Sequence, residues 1–241
     1  MPFGTSTPSS MTDPRQRHAM LLRAVYLPLA AFATAALVAQ LFVTLGLNGV
    51  STGTRVVRML SYFTIQSNIL VAVSSWGLVI RPQRAGLLWR IVRLDALAGI
   101  AVTGIVYSIA LAGTQELHGW ALACDVAFHY VVPIATVLTW LVFGPRGRID
   151  STTVLGGLIW PVLWFGYTLL HGAVSDWYPY HFVDVGDLGY PRALLNALII
   201  TVLLGVVLTA LWLIDQRANS LTGRGVQQRA RRPALRGQGR G

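Results

Sequence analysis

Six apolar stretches recur along this chain, at about 22–46, 59–80, 94–113, 121–143, 153–174 and 191–214. About 20 apolar residues wound as a helix cross the ~30 Å hydrocarbon core of a bilayer, and each stretch is long enough to do so. Composition agrees. Hydrophobic residues make up 54% and charged residues 12%, where a soluble domain carries about 25% charged. A water-soluble fold is excluded. The expected fold class is an all-α membrane protein, a six-transmembrane-helix bundle with both termini cytoplasmic. Residues 1–20 are polar, hold Pro2, Pro8 and Pro14, and are expected to be disordered. The bundle covers 21–215, and 216–241 is expected to be a disordered Arg-rich cytoplasmic tail.

Orientation rests on charge placement. All 19 basic residues are arginine, which points to a GC-rich, bacterial genome. Arg15, Arg17, Arg23, Arg81, Arg84, Arg90, Arg93, Arg146 and Arg148, together with seven arginines of the tail, fall on one side of the predicted membrane. Arg55, Arg58 and Arg192 fall on the other. The positive-inside rule makes the first side cytoplasmic, so the expected location is multi-pass in a bacterial plasma membrane. The tail is expected to touch anionic lipid headgroups rather than nucleic acid. Cys124 is the single cysteine, so neither an intrachain disulfide nor a cysteine metal cluster can form.

The stretch SYFTIQSNILVA, residues 61–72, carries unusual polarity for an apolar run. With segment 2 entering from the outer face near Met59, Thr64, Ser67, Asn68 and Ser75 share one helical face and Gln66 points away. Thr64 then lies roughly 8 Å below the outer end. Segment 4 brings Asp125 and His129, spaced i,i+4 and so adjacent on one face, with His129 roughly 12 Å deep. Ionisable groups at such depth are costly and normally face the bundle interior.

Other segments add Thr103, Tyr107 and Ser108, then Trp160, Trp164, Tyr167, Thr168 and His171, then Asn196, all in the outer half. The loop at 175–190, rich in Trp and Tyr, suits the headgroup layer and is expected to fold over the outer mouth. Asp95, near the cytoplasmic end of segment 3, is expected to pair with loop arginines. The polarity is concentrated toward the outer leaflet, and an outer cavity is the simplest reason.

The chemistry is narrowed by what is missing: paired deep histidines for haem, a Gly-rich phosphate loop, and a Gly-x-Ser-x-Gly elbow. A three-ligand metal group of Asp125, His129 and His171 is conceivable, but neither metal nor cofactor is expected. A hydroxyl and an imidazole remain at matching depth. Neutral imidazole is the usual base for activating a threonine hydroxyl. The bland alternative is that Thr64 only bonds its own backbone or packs at a helix contact.

Three motifs carry a resemblance: Tyr62-Phe63-Thr64, His129 ahead of Val131-Val132-Pro133, and the Trp160–Trp164 helix leading to Trp177-Tyr178-Pro179. They resemble the androgen-induced-protein superfamily, and within it the bacterial six-helix Pr-six-Pr membrane proteins, over about residues 20–215. Characterised animal members are multipass threonine hydrolases that cleave fatty acid esters of hydroxy fatty acids with one intramembrane Thr and one His. By motif position the resemblance assigns those catalytic roles to Thr64 and His129.

The expected function is therefore intramembrane hydrolysis of a lipid ester drawn from the membrane. Asn68, Ser67, Tyr107, Asp125, Trp164, His171 and Asn196 are expected to line the substrate site, with Asn68, Tyr107 or a backbone amide as candidate oxyanion donors. The alternative is a non-enzymatic module that binds or transports a lipid or isoprenoid in the same cavity.

Overall fold

A computed structural model describes residues 13–237, with side chains through residue 218 apart from Arg15. Among the described residues every regular element is helical. In chain order these are α1 (Pro14–Leu45), α2 (Thr52–Ser61), α3 (Phe63–Ile80), α4 (Leu87–Val106), α5 (Gly119–Val126), α6 (Val132–Phe143), α7 (Ser151–Gly157), α8 (Ile159–Ser175) and α9 (Val185–Gly237). One π-helical turn, Tyr107–Leu111, prolongs α4, and another, Ala127–Val131, joins α5 to α6. Six helical spans are long and apolar enough to cross a membrane.

Between α1 and α3 the buried residues of α1 recur at spacings of three and four: Leu22, Tyr26, Leu29, Ala30 and Ala33. Most of them pack with Val71, Ala72 and Leu78 of α3. Alanine and serine at such contacts let helix backbones approach closely, the usual source of packing where lipid removes the hydrophobic drive. α4 is the hub, touching α3, α6, α7 and α9. The outward face of α9 presents Leu198, Ile199, Val202 and Val206, each about 60% exposed. A face this apolar suits hydrocarbon, not water.

One end of the bundle is basic and tightly tied. Arg23 Nε donates to Val79 O at 3.0 Å. The fully buried Asp215 accepts the backbone N–H groups of Gly147, Arg148 and Ile149 at 3.0, 2.9 and 3.0 Å. The start of α1, the end of α3, the loop before α7 and the late part of α9 therefore meet there. The other end holds α2 and the loop between α8 and α9.

Two expectations change. α3 starts at Phe63 and not near Met59, because Tyr62 is extended (φ −69°, ψ 129°) and splits off α2. Asp95 makes no ion pair among the described residues. It is buried on the face toward α7, where a Cβ on Gly157 would stand 2.9 Å from its Oδ1. Arg90, in the first turn of α4, binds Asp150 Oδ2 instead, at 2.7 Å. Helical backbone is described from Pro14 in α1 and, past a break at Gly189 (φ 70°), to Gly237 in α9, which overlaps the two ends expected to be disordered. Proline is tolerated in a first helical turn, whereas Gly223, Gly225 and Pro233 in the tail are poor helix formers. Residues 1–12 and 238–241, which complete those two expectations, lie outside the described residues.

Candidate functional site

The break at Tyr62 makes Thr64 the second residue of α3, in its first turn. It does not sit a turn and a half down a longer helix. First-turn N–H groups have no partner within the helix, and no side chain of the preceding residues caps this one. The cap comes from far along the chain: Tyr180 Oη accepts the Thr64 N–H at 3.1 Å. The same phenol lies 3.1 Å from Thr64 Oγ1. The positive end of the α3 dipole thus faces the Thr64 hydroxyl and favours negative charge there.

Opposite Thr64 stands His129, with Nε2 at 3.4 Å from Oγ1. That is the long end of hydrogen bonding, and looser spacing is common for a nucleophile and base before the transition state. His129 is in the π turn Ala127–Val131, where the Val132 N–H reaches back five residues to Ala127 O. Pro133 accounts for the widening: it lacks an N–H, and its ring would clash with the carbonyl four residues earlier, that of His129. Gly104 of α4 leaves room for this turn, since a Cβ there would lie 3.1 Å from Pro133 Cβ and 3.3 Å from His129 O.

On its far side, His129 Nδ1 faces two acceptors of Asp125, the backbone carbonyl at 2.9 Å and Oδ1 at 3.0 Å. Tyr107 donates its hydroxyl to Asp125 Oδ2. The Tyr107 ring also stacks on the imidazole, with centroids 3.8 Å apart and planes 9° apart. One set of protons satisfies every contact. Tyr107 and His129 Nδ1 donate to Asp125, which leaves Nε2 to accept from the Thr64 hydroxyl, while Tyr180 donates to Thr64 Oγ1. The His129 and Asp125 side chains are only 13% and 15% exposed. Burial, only partly opposed by its bonds to Thr64, pushes the Tyr180 phenol up to about 12, so it remains a donor.

Two cavities meet at this group. A vestibule of about 740 Å³ holds Thr64, Asp125 and His129 together with Arg55, Arg58 and Tyr62. A cleft of about 340 Å³ runs between α4, α8 and α9, lined by Val102, Val106, Phe165, Leu194, Ile200 and other apolar groups. Thr64, Tyr107 and Tyr180 line both.

The remaining predicted site residues divide. Trp164 lines the cleft and donates Nε1–H to Ser61 O at 2.9 Å. Ser67 and Asn68 are buried behind Thr64: Ser67 Oγ accepts from Thr103 Oγ1 at 3.3 Å, and Asn68 Nδ2 donates to Thr64 O at 2.8 Å. With its amide so engaged, and Tyr107 committed to Asp125, neither Asn68 nor Tyr107 points a free donor at Thr64. Asn196 Nδ2 holds Phe182 O at 2.8 Å and so braces the loop. His171 lines neither cavity. It sits beside Tyr167, Trp177 and Ser175, and no group of three potential metal ligands assembles among the described residues.

Tyr180 is absent from the predicted site residues, and it lies in the loop expected to suit the headgroup layer and to fold over the outer mouth. Its loop is fixed by aromatic packing. Tyr178 lies over Gly172 so closely that a Cβ there would be 2.1 Å from the ring, and Trp177 meets the edge of Tyr62 at 5.7 Å. The dense aromatics around Pro179 are the signal for this, though they carry no period. Comparison of the chain with protein-family models, with curated proteins and with solved structures gives no match in any of the three.

Proposed function

We propose that the chain is an intramembrane hydrolase of lipid esters, with Thr64 as nucleophile, His129 as general base and Asp125 as the group that orients and charge-balances the imidazole. The observation that carries this reading is the continuous line Asp125–His129–Thr64 at the junction of a vestibule that holds Arg55 and Arg58 and an apolar cleft. The motif likeness to the androgen-induced-protein superfamily points the same way. Arginine asymmetry orients the bundle with both termini in the cytoplasm and the site beneath the extracytoplasmic leaflet.

Catalysis on this geometry proceeds in two halves. His129 Nε2 takes the Thr64 proton as Oγ1 attacks the ester carbonyl, giving a tetrahedral oxyanion. The α3 N-terminus and the Tyr180 hydroxyl supply positive potential and a donor beside it. The imidazolium returns the proton to the departing alkoxide, and the carbonyl reforms as an acyl-threonine. Water then attacks this second ester, its proton passing to His129, and Thr64 leaves with that proton. The balance is one ester and one water to one acid and one alcohol.

The test is turnover of ester-linked lipids by purified protein, beside Thr64→Ala and His129→Ala. Both variants should lose activity, and a fluorophosphonate probe should label Thr64. Activity retained in both variants removes the mechanism. Stoichiometric copurified lipid without labelling favours the non-enzymatic binding module.

A further inference from the structure

The vestibule contains a charge the hydrolytic step does not use. Arg55 and Arg58 lie i,i+3 on α2, hence on one helical face, and both line the cavity that holds Thr64 and His129. Neither forms an ion pair among the described residues. Arg55 Nη2 donates to Thr52 Oγ1 at 2.9 Å, while its Nε is buried without a hydrogen-bond partner. The Arg58 guanidinium carbon lies 5.0 Å from the centre of the Trp177 ring, a cation–π contact that uses none of its N–H donors. Asp125, the carboxylate lining the same cavity, is already engaged by Tyr107 and His129.

Two like charges on one turn repel each other, and leaving a guanidinium donor buried and unmet is costly. An anion between them relieves both. Arginine's planar fork fits phosphate oxygens in pairs. A phosphate monoester brings three acceptor oxygens and a charge of about −1.5 to −2, which matches two guanidinium groups better than a single carboxylate does.

We propose that Arg55 and Arg58 form a headgroup subsite for a phosphate-bearing lipid, with the phosphate in the vestibule and the hydrocarbon in the apolar cleft. The assignment rests on the hydrolase reading for its biological use, because it presents the intervening ester at Thr64. Its test does not.

The probes are two fluorescent ether lipids with the same chain, a 1-O-alkylglycerol 3-phosphate and the uncharged 1-O-alkylglycerol. Neither carries a carboxylic ester for Thr64 to attack, so binding is read whether or not Thr64 is a nucleophile. In neutral detergent, the wild-type protein should bind the phosphate lipid at least about tenfold more tightly than the uncharged one, a preference that weakens with salt. In the R55Q/R58Q variant this preference should fall to about two- to threefold or less, whereas Thr64→Ala should keep it. No preference in the wild type overturns the proposal without any variant having to fold. So does a preference that survives in a double variant with an unchanged helical spectrum. An alkyl carboxylate bound as tightly as the phosphate overturns the choice of phosphate. Displacement by inorganic phosphate alone at comparable concentration overturns the lipid source in favour of a free anion.

Discussion

Asp125→Asn separates two jobs that one carboxylate usually does together. When the aspartate alone fixes the histidine tautomer, as in serine-protease triads, the asparagine change costs about 10⁴ in kcat. Here Nδ1 also faces the Asp125 backbone carbonyl at 2.9 Å, which the substitution leaves in place. The amide fits as well: its oxygen accepts from Nδ1, and its NH₂ donates to Tyr107, whose hydroxyl turns to accept. Only the charge is lost. A unit charge about 4 Å from the imidazolium is worth about 4 kcal/mol at an effective dielectric of 20, which sets the upper bound. The expected loss in kcat is therefore on the order of 10²–10³-fold, about 3–4 kcal/mol, with KM changed far less. The assay is steady-state cleavage of a fluorogenic acyl ester in maltoside micelles, beside His129→Ala. A loss under about threefold means that the charge does not act on the imidazolium. A loss as deep as that of His129→Ala means that the backbone carbonyl does not hold the tautomer. Either result refutes the reasoning.

Four further outcomes follow from the geometry. Tyr180→Phe should lower kcat by about 10–10³-fold by removing the donor beside Oγ1. In the wild type, Tyr180 contributes stability that is fully present below its unfolded pKa and is lost as pH rises toward about 12; alkaline unfolding in detergent should show this component, and the phenylalanine variant should lack it. Asp215→Ala leaves three backbone N–H groups of the loop before α7 without their acceptor. It should cost about 3 kcal/mol or more in reversible unfolding, and an unchanged midpoint would contradict the role given to this carboxylate. Gly104→Val drives a side chain against Pro133 Cβ and His129 O. It should displace the π turn and cut turnover more than it lowers the melting temperature, as paired activity and thermal measurements will show.

What the sequence could convey and what it could not divide along a physical line. The spans are legible because lipid imposes a length and a composition on each helix separately. Helix faces are legible for the same reason, and they put Thr64 with Ser67 and Asn68, and Asp125 with His129. Distances between helices are written in no period. Pro133 marks where a helix must widen, but only a neighbour as small as Gly104 decides how far His129 can shift toward α4. The start of α3 was misplaced because Tyr62 continues the apolar run by composition. Its extended backbone is fixed by Trp177 and Tyr180, more than a hundred residues away, with ring centroids at 5.7 and 5.4 Å. The same contact brings the Tyr180 phenol to the α3 N-terminus. Breaking the helix at Tyr62 and capping it with Tyr180 are therefore one event, and that event moves Thr64 from the side of a helix to its positive end. A hydroxyl midway along α3 would have met only satisfied backbone. Placed in the first turn, it meets a helix dipole, a phenol and an imidazole together.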